Sequence, residues 1–156
     1  MKVLLDTNVL VRVSQASDPL HPITSAAVLE LMKRGYETCI CNQNVFEFWV
    51  VVTRPIAVNG FGLSPADARL EADLRIVAHT VLPDPPALRE DWLDLCERHL
   101  VSGAKAHDAR LVALMLGHSL THILTLNAAD FSRYTKIQAV TPQDVMAGAL
   151  PPLTSN

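Results

Sequence analysis

The sequence predicts an α/β fold with a short, mostly parallel central sheet, and three observations carry that expectation. Short apolar runs recur along the chain (VLL near the start, then ETCIC, ILTL and IQAV), each of a length suited to a buried strand. The segments between them space their apolar residues as helices do, and regular alternation of strand with helix favours stacked layers around a parallel sheet. At 156 residues the chain fits one domain that can bury a core without disulfides or a structural metal. A single folding unit is expected over 1–148, followed by a short tail over 149–156, with disorder confined to PPLTSN.

Val3 to Leu5 form the first strand, which Asp6 closes. Thr24 is placed to cap a helix running to about Arg34, with Gly35 as its stop and Ala27, Val28, Leu31 and Met32 as its buried stripe. Glu37 to Cys41 make a second strand, and a helix from about Asn44 runs until Pro55 ends it, which puts Glu47 in its first turn. Val58 to Gly62 read as a loop, and Ser64 followed by Pro65 is a cap with proline at the first helical position. Leu70 and Leu74 are expected on that helix's inner face. Ile76 to Leu82 are the third strand candidate, and Asp84-Pro85-Pro86 opens a helix carrying Leu88, Trp92 and Leu95. Asp108 begins a further helix whose buried side is Leu111, Val112, Met115 and Leu116, with Gly117 as its end. Ile123 to Leu126 and Ile137 to Val140 are the last strands, and Thr141-Pro142 starts a final short helix.

Composition narrows the function classes. A chain 49% hydrophobic and 19% charged is an ordinary globular protein with apolar surface to spare for an oligomer interface. Three cysteines, Cys39, Cys41 and Cys96, are an odd number, and MKVLLD meets an aspartate before any signal-peptide core forms, so a reduced, cytoplasmic location is expected. No apolar stretch is long enough to span a membrane. A net charge of −3 argues against a module that clasps duplex nucleic acid. It argues less against a nuclease, whose acidic pocket subtracts from the total. The chain lacks the GxxxxGK[ST] loop of an NTPase and the G-x-S-x-G elbow of a serine hydrolase.

Four acids stand out because each interrupts or closes an apolar run: Asp6 in MKVLLDTNVL, Glu47 in NVFEFWVVV, Asp108 in KAHDARLVALML and Asp130 in ILTLNAADF. In an open α/β sheet, sites form beyond the carboxyl ends of the strands, and all four, with Asn127, fall at that edge. Gathered there, the carboxylates would repel one another unless a cation sat among them. Oxygen ligands of this kind suit magnesium or manganese, whereas zinc would want histidine or thiolate. Such ions polarise phosphoryl oxygens and activate water, which makes phosphodiester hydrolysis the best-fitting chemistry.

The segments LLDTNVL, NVFEFWVVVTRP, SGAKAHDARLVALM and ILTLNAADFSRY followed by VTP resemble, in order and spacing, the PIN domain, and within it the VapC-like toxins of bacterial toxin–antitoxin pairs. The resemblance runs from Lys2 to about Pro142. It implies a PIN-like three-layer α/β/α sandwich and a ribonuclease that uses one or two Mg2+ or Mn2+ ions. It also implies a homodimer, held inactive by a small antitoxin protein. Carried over, Asp6 and Asp108 are direct metal ligands, Glu47 orients a water or binds a second ion, and Asn8 and Thr125 support the site. At the fourth position the chain departs from the common pattern: Asn127 stands two residues after Thr125, with Asp130 three residues further on, and either could serve the metal.

Each acid also has a plainer reading. Asp6 could cap the turn after its strand, and Glu47 and Asp108 could answer a helix dipole. Asp130 could cap a helix starting at Phe131. Phe46, Phe48 and Trp49 weigh against exposure of Glu47. Cys39 and Cys41 lack the second pair that a zinc set needs and read as buried thiols, and Trp92 reads as core. His107, a general-base candidate beside Asp108, reads rather as a partly exposed helix-start histidine. Thr7 and Ser102 are minor candidates for placing substrate. Arg12, Arg54, Lys105, Arg110 and Arg133 are candidates for an RNA track through phosphate contacts. Two other functions are compatible with these residues: a PIN nuclease of RNA processing or structure-specific DNA cleavage without an antitoxin, and a catalytically silent PIN-like dimeric scaffold, for which Asn127 is the supporting feature.

Overall fold

Alternation along five short strands divides the apolar residues between two cores. In the computed structural model, which describes residues 1–153, the strands are β1 (Lys2–Leu5), β2 (Glu37–Cys41), β3 (Thr80–Leu82), β4 (His122–Leu124) and β5 (Gln138–Val140). They pair in the order β3-β2-β1-β4-β5, every pair parallel, with Val3 opposite both Thr38 and His122. Because side chains alternate across a sheet, Val3, Leu5, Ile40, Leu124 and Val140 face one core, while Leu4, Cys39, Cys41 and Ile123 face the other. Both sides are covered, as all-parallel sheets require.

The first core is roofed by α1 (Thr7–Val13), α2 (His21–Lys33), α3 (Asn42–Thr53), α4 (Pro65–Ala78) and α7 (Pro142–Met146). The second is covered by α5 (Leu88–Arg98) and α6 (Lys105–Gly117). The result is the expected three-layer α/β/α sandwich. Its sequence runs from β1 outward through β2 to β3, then returns to the other side of β1 for β4 and β5. The strand order therefore reverses between β1 and β4, and parallel sheets open a crevice at such a point.

Several elements differ from expectation for identifiable reasons. The helix α1, absent from the sequence reading, follows Asp6 directly; its seven residues carry three valines, and β-branched residues give little local helix signal. Residues 76–78 continue α4 instead of starting a strand, since the Ser64 hydroxyl accepts from the Asp67 N–H and nucleates a helix that propagates through Ile76 and Val77. On that helix Ala68 and Ala72 are buried, whereas Leu70 and Leu74, expected inside, are 65% and 55% exposed. The small residues let α4 lie against α3. Met32, expected in the buried stripe of α2, is also exposed. The start of α2 is His21 and not Thr24, because Pro22 supplies an early helical position. Strand β4 stops at Leu124, so Thr125 and Leu126 lie in the loop that follows.

Gly117 is the last residue of α6 and leaves room for the Pro85 ring, which a Cβ would meet at 2.6 Å. The left-handed residue after the helix is Ser119, at φ 56°. Cys39 and Cys41 share a buried face of β2, and burial pushes the Cys39 thiol up to about 11, which keeps it unreactive. Within the expected tail, Arg34 donates to the carbonyls of Ala149 and Leu150, the Tyr36 hydroxyl donates to the Pro151 carbonyl, and the Leu153 N–H donates to the Arg34 carbonyl. The remainder of that tail, 154–156, lies outside the described residues. Among the described residues no helix is long and apolar enough to cross a membrane.

Candidate metal centre

Asp6 stands at the crevice because β1 ends at Leu5 and the backbone N–H of Asp6 donates to the Leu124 carbonyl of β4, 2.9 Å away. Its side chain is only partly exposed. One oxygen, Oδ2, accepts from the Thr125 hydroxyl at 2.6 Å and from the Asn8 amide at 2.7 Å. Asn8 in turn accepts from the Leu126 N–H, and the Thr125 hydroxyl accepts from the Asn127 N–H. Asn8 and Thr125 thus tie the ends of β1 and β4 together around one carboxylate. Asp6 serves as N-cap of α1 through its backbone, with no side-chain capping bond, so its carboxylate is directed elsewhere.

Glu47 lies in the second turn of α3, not the first, since the helix starts at Asn42. A dipole role at the helix start is therefore weakened. Thr7 donates to Glu47 Oε2 at 2.7 Å, and Gln43, one turn earlier on the same face, donates to Oε1 at 2.9 Å. His107 Nδ1 stands 3.3 Å from the same Oε1 with most of its side chain in solvent. Of the aromatic neighbours, Phe48 is 1% exposed but Phe46 is 67% exposed and Trp49 borders on exposed, so the flanks do not bury Glu47 as a group.

Asp108 is the fourth residue of α6 and not its first, and it remains within the first turn. Asp130 lies inside a 3-10 turn, Ala128–Phe131, and does not cap a helix at Phe131. Lys105 reaches both, 2.5 Å from Asp130 Oδ1 and 3.8 Å from Asp108 Oδ2. Asn127 is exposed and contributes only its backbone N–H to the cluster. The placement therefore brings Asp130, and not Asn127, beside Asp108.

Electrostatics register the crowding. Burial pushes the Asp6 carboxyl up to about 6; Asp108 and Glu47 push the same way, against the Thr125 hydrogen bond and the Thr7 N–H. Asp108 is raised as well, first by burial, with Asp130 and Glu47 adding to it and Lys105 and His107 opposing it. A fold that holds acids where their charged forms are disfavoured is suited to a cation that restores them. The donors are all oxygen. Among the described residues, no three His, Cys, Asp or Glu side chains close around one point tightly enough to enclose an ion unaided. Carboxylate oxygens are the donors that magnesium and manganese take, one or two of them sufficing while several waters stay bound.

Beside the carboxylates opens a cleft of about 680 Å³. Of the four acids it is Glu47 that lines this cleft, together with Thr7, Phe46, His107 and the two arginines Arg12 and Arg54. Arg12 is paired with Asp18 at 3.1 Å. Arg110 pairs with Asp84 and donates to Gln43, the residue that also holds Glu47, and Arg133 donates to the His99 carbonyl. Gln43 and Thr7 are the residues that sequence reading misses or underrates. Gln43 is detectable as the residue one turn before Glu47; the Thr7 contact is not, because it crosses 40 residues of chain.

The network predicts a specific loss. Thr125→Val removes the hydroxyl that serves Asp6 and Asn127 while keeping the shape, so stability should fall by about 1–3 kcal/mol in urea denaturation. Mn2+ affinity should weaken by roughly 10–100-fold in calorimetry, as outer partners of metal ligands generally do when lost.

The fold is shared with several solved proteins. VapBC2 from Rickettsia felis, solved bound to a DNA fragment from its promoter, superimposes with TM-score 0.67 at 14% identity over 90% of this chain and 98% of that one. VapBC-1 from nontypeable Haemophilus influenzae gives TM-score 0.67 at 16% identity over 92% and 99%. VapC20 from Mycobacterium tuberculosis, described as a Sarcin-Ricin loop cleaving toxin, gives 0.59 at 17% over 78% and 86%. No curated protein sequence matches the chain. The PIN domain matches over residues 3–137, from the first strand to the threshold of the last, with Asp6, Glu47, Asp108 and Asp130 all inside the match, and the chain belongs to that family.

Proposed function

We propose that this chain is a metal-dependent endoribonuclease, the toxin of a type II toxin–antitoxin pair. One observation carries the reading: four carboxylates from separate stretches, Asp6, Glu47, Asp108 and Asp130, stand together at the strand-order reversal, with the acidity of Asp6 and Asp108 perturbed by burial and by their acidic neighbours. Asp6 and Asp108 would be the direct ligands of a Mg2+ or Mn2+ ion, with Asp130 beside Asp108 adding to the negative field that draws it. When bound, such an ion neutralises charge on phosphoryl oxygens and makes a coordinated water more acidic. Glu47, fixed by Thr7 and Gln43, holds a water by one oxygen and takes its proton as the phosphodiester is attacked in line.

The cleft supplies the means of holding a single strand. Arg12 and Arg54 answer phosphates along its margin, and the exposed ring of Phe46 offers a face on which a base stacks. A cleft beside the acids also explains how a chain of net charge −3 can hold RNA. Apolar side chains left in solvent on α3 and the turn after it, Val50, Ile56 and Val58, suit a homodimer or an antitoxin. The VapBC complexes among the structural relatives support an antitoxin partner, and a cytoplasmic location follows from that assignment.

Oligonucleotides of one sequence, made as single-stranded RNA and as single-stranded and duplex DNA, test the substrate class with Mn2+ present. RNA cut and DNA intact is the expected result. Preferential cutting of DNA would move the assignment to a structure-specific DNA nuclease.

A further inference from the structure

Two carboxylates from distant parts of the chain share one ammonium. Lys105 opens α6, and its Nζ stands 2.5 Å from Asp130 Oδ1 and 3.8 Å from Asp108 Oδ2. Asp108 follows on the same helix at i, i+3, which brings the two side chains to one face. Asp130 approaches from the 3-10 turn after β4, so the second half of the contact is long-range and depends on the whole fold. Asp130 and Asp108 are each partly buried, with side chains 33% and 24% exposed.

Around the crevice, Asp6, Glu47, Asp108 and Asp130 bring four negative charges. The groups facing Asp108 are Lys105 and His107 on its own helix, with Asp130 and Glu47 from the elements opposite. An ion shared by two carboxylates would occupy the gap between Asp108 and Asp130, and the Lys105 ammonium fills that gap. An ammonium offers a compact positive charge and three donors but no coordination position, so it neutralises carboxylates without binding or activating water as a metal does.

We propose that Lys105 takes the place of a second metal ion, so that the chain binds a single divalent cation, held by Asp6 and Asp108, while Asp130 anchors the lysine. The inference rests on the proposed metal-dependent reading and deepens it. Lys105 is a positioning residue under this assignment, acting through Asp108 and Asp130.

Counting bound Mn2+ by titration calorimetry and by electron paramagnetic resonance tests the inference without reference to activity. The proteins are wild type, Lys105→Met, Lys105→Arg and Lys105→Met/Asp130→Asn, with matched circular dichroism as the check on folding; the lysine side chain is 43% exposed, so its loss leaves the core untouched. One Mn2+ per chain is expected in wild type and in Lys105→Arg, which keeps the charge. Lys105→Met should gain a second, and the double variant should lose it again. Equal, non-zero numbers in wild type and Lys105→Met would overturn the role of the lysine and leave the nuclease reading standing. No binding in either would overturn both. An extra ion that persists in the double variant, or that also enters Lys105→Arg, would equally overturn the assignment.

Discussion

Asp6→Asn is expected to abolish RNA cleavage and at the same time to stabilise the metal-free chain at neutral pH. Loss of a direct ligand should lower cleavage by at least about 100-fold, the upper end of what loss of a mere outer partner costs. The stability gain has a separate origin. The Asp6 carboxyl rises from 3.8 to about 6 on folding, so the folded chain binds this proton more tightly than the unfolded chain does. The carboxyl's contribution is therefore favourable at low pH and is lost as pH rises from about 4 through about 6. At pH 7 the ionised form opposes folding by up to about 3 kcal/mol, since each tenfold change in proton affinity is worth about 1.4 kcal/mol. Asparagine keeps an acceptor for Thr125 and Asn8 and carries no charge, so a gain of about 1–3 kcal/mol is expected in urea denaturation with chelator at pH 7, fading towards pH 4. A destabilised Asp6→Asn chain at pH 7 would mean that the carboxylate is there for structure.

Saturating Mn2+ should stabilise the wild-type chain markedly, because the cation binds the folded state and relieves the same repulsion. At a hundredfold excess over its dissociation constant the linkage gain is about 2.7 kcal/mol, which for a chain of this size corresponds to a melting shift of roughly 5–10 °C. The shift should shrink as pH falls through about 6, where Asp6 keeps its proton and binding must expel it. Thermal scans with Mn2+ and with chelator, across that pH range, give the measurement. An Asp6→Asn/Asp108→Asn chain should show little shift at any pH. A pH-independent shift in wild type would place the cation somewhere other than on Asp6.

The fold is legible in the sequence wherever local pattern and tertiary packing agree. β2 can be read with its observed limits because ETCIC is bounded by Gly35 on one side and a helix start on the other. The Ser64-Pro65 and Thr141-Pro142 helix starts are equally plain because their hydroxyl caps are local, the Thr141 oxygen accepting from the Asp144 N–H. Helix α1 is not legible: T-N-V-L-V-R-V is short, rich in β-branched residues and without helical spacing of its apolar positions, and it buries Val9, Leu10 and Val11 on the core. The inner face of α4 is hidden because leucine outweighs alanine in any hydrophobicity count, whereas the gap beside α3 admits only the smaller residue.

The candidate site divides the same way. Asp6, Glu47 and Asp108 are identifiable because each breaks an apolar run, and Asn8 follows Asp6 two residues along the chain. The sequence leaves open the choice between Asn127 and Asp130, since it depends on how the 3-10 turn after β4 points its residues towards α6. Lys105 is visible there only as one basic residue among several. Its contact with Asp130 joins α6 to the turn beyond β4, and no local spacing rule reaches that far.

Incubating a mixed-sequence RNA with the purified chain in Mg2+, Mn2+ or chelator, beside the Asp6→Asn/Asp108→Asn variant, tests the central claim most directly. Cleavage that needs the cation and disappears in the variant is the predicted result. No cleavage by a folded, partner-free wild-type chain under either metal, or cleavage that survives in chelator and in the variant, would contradict it.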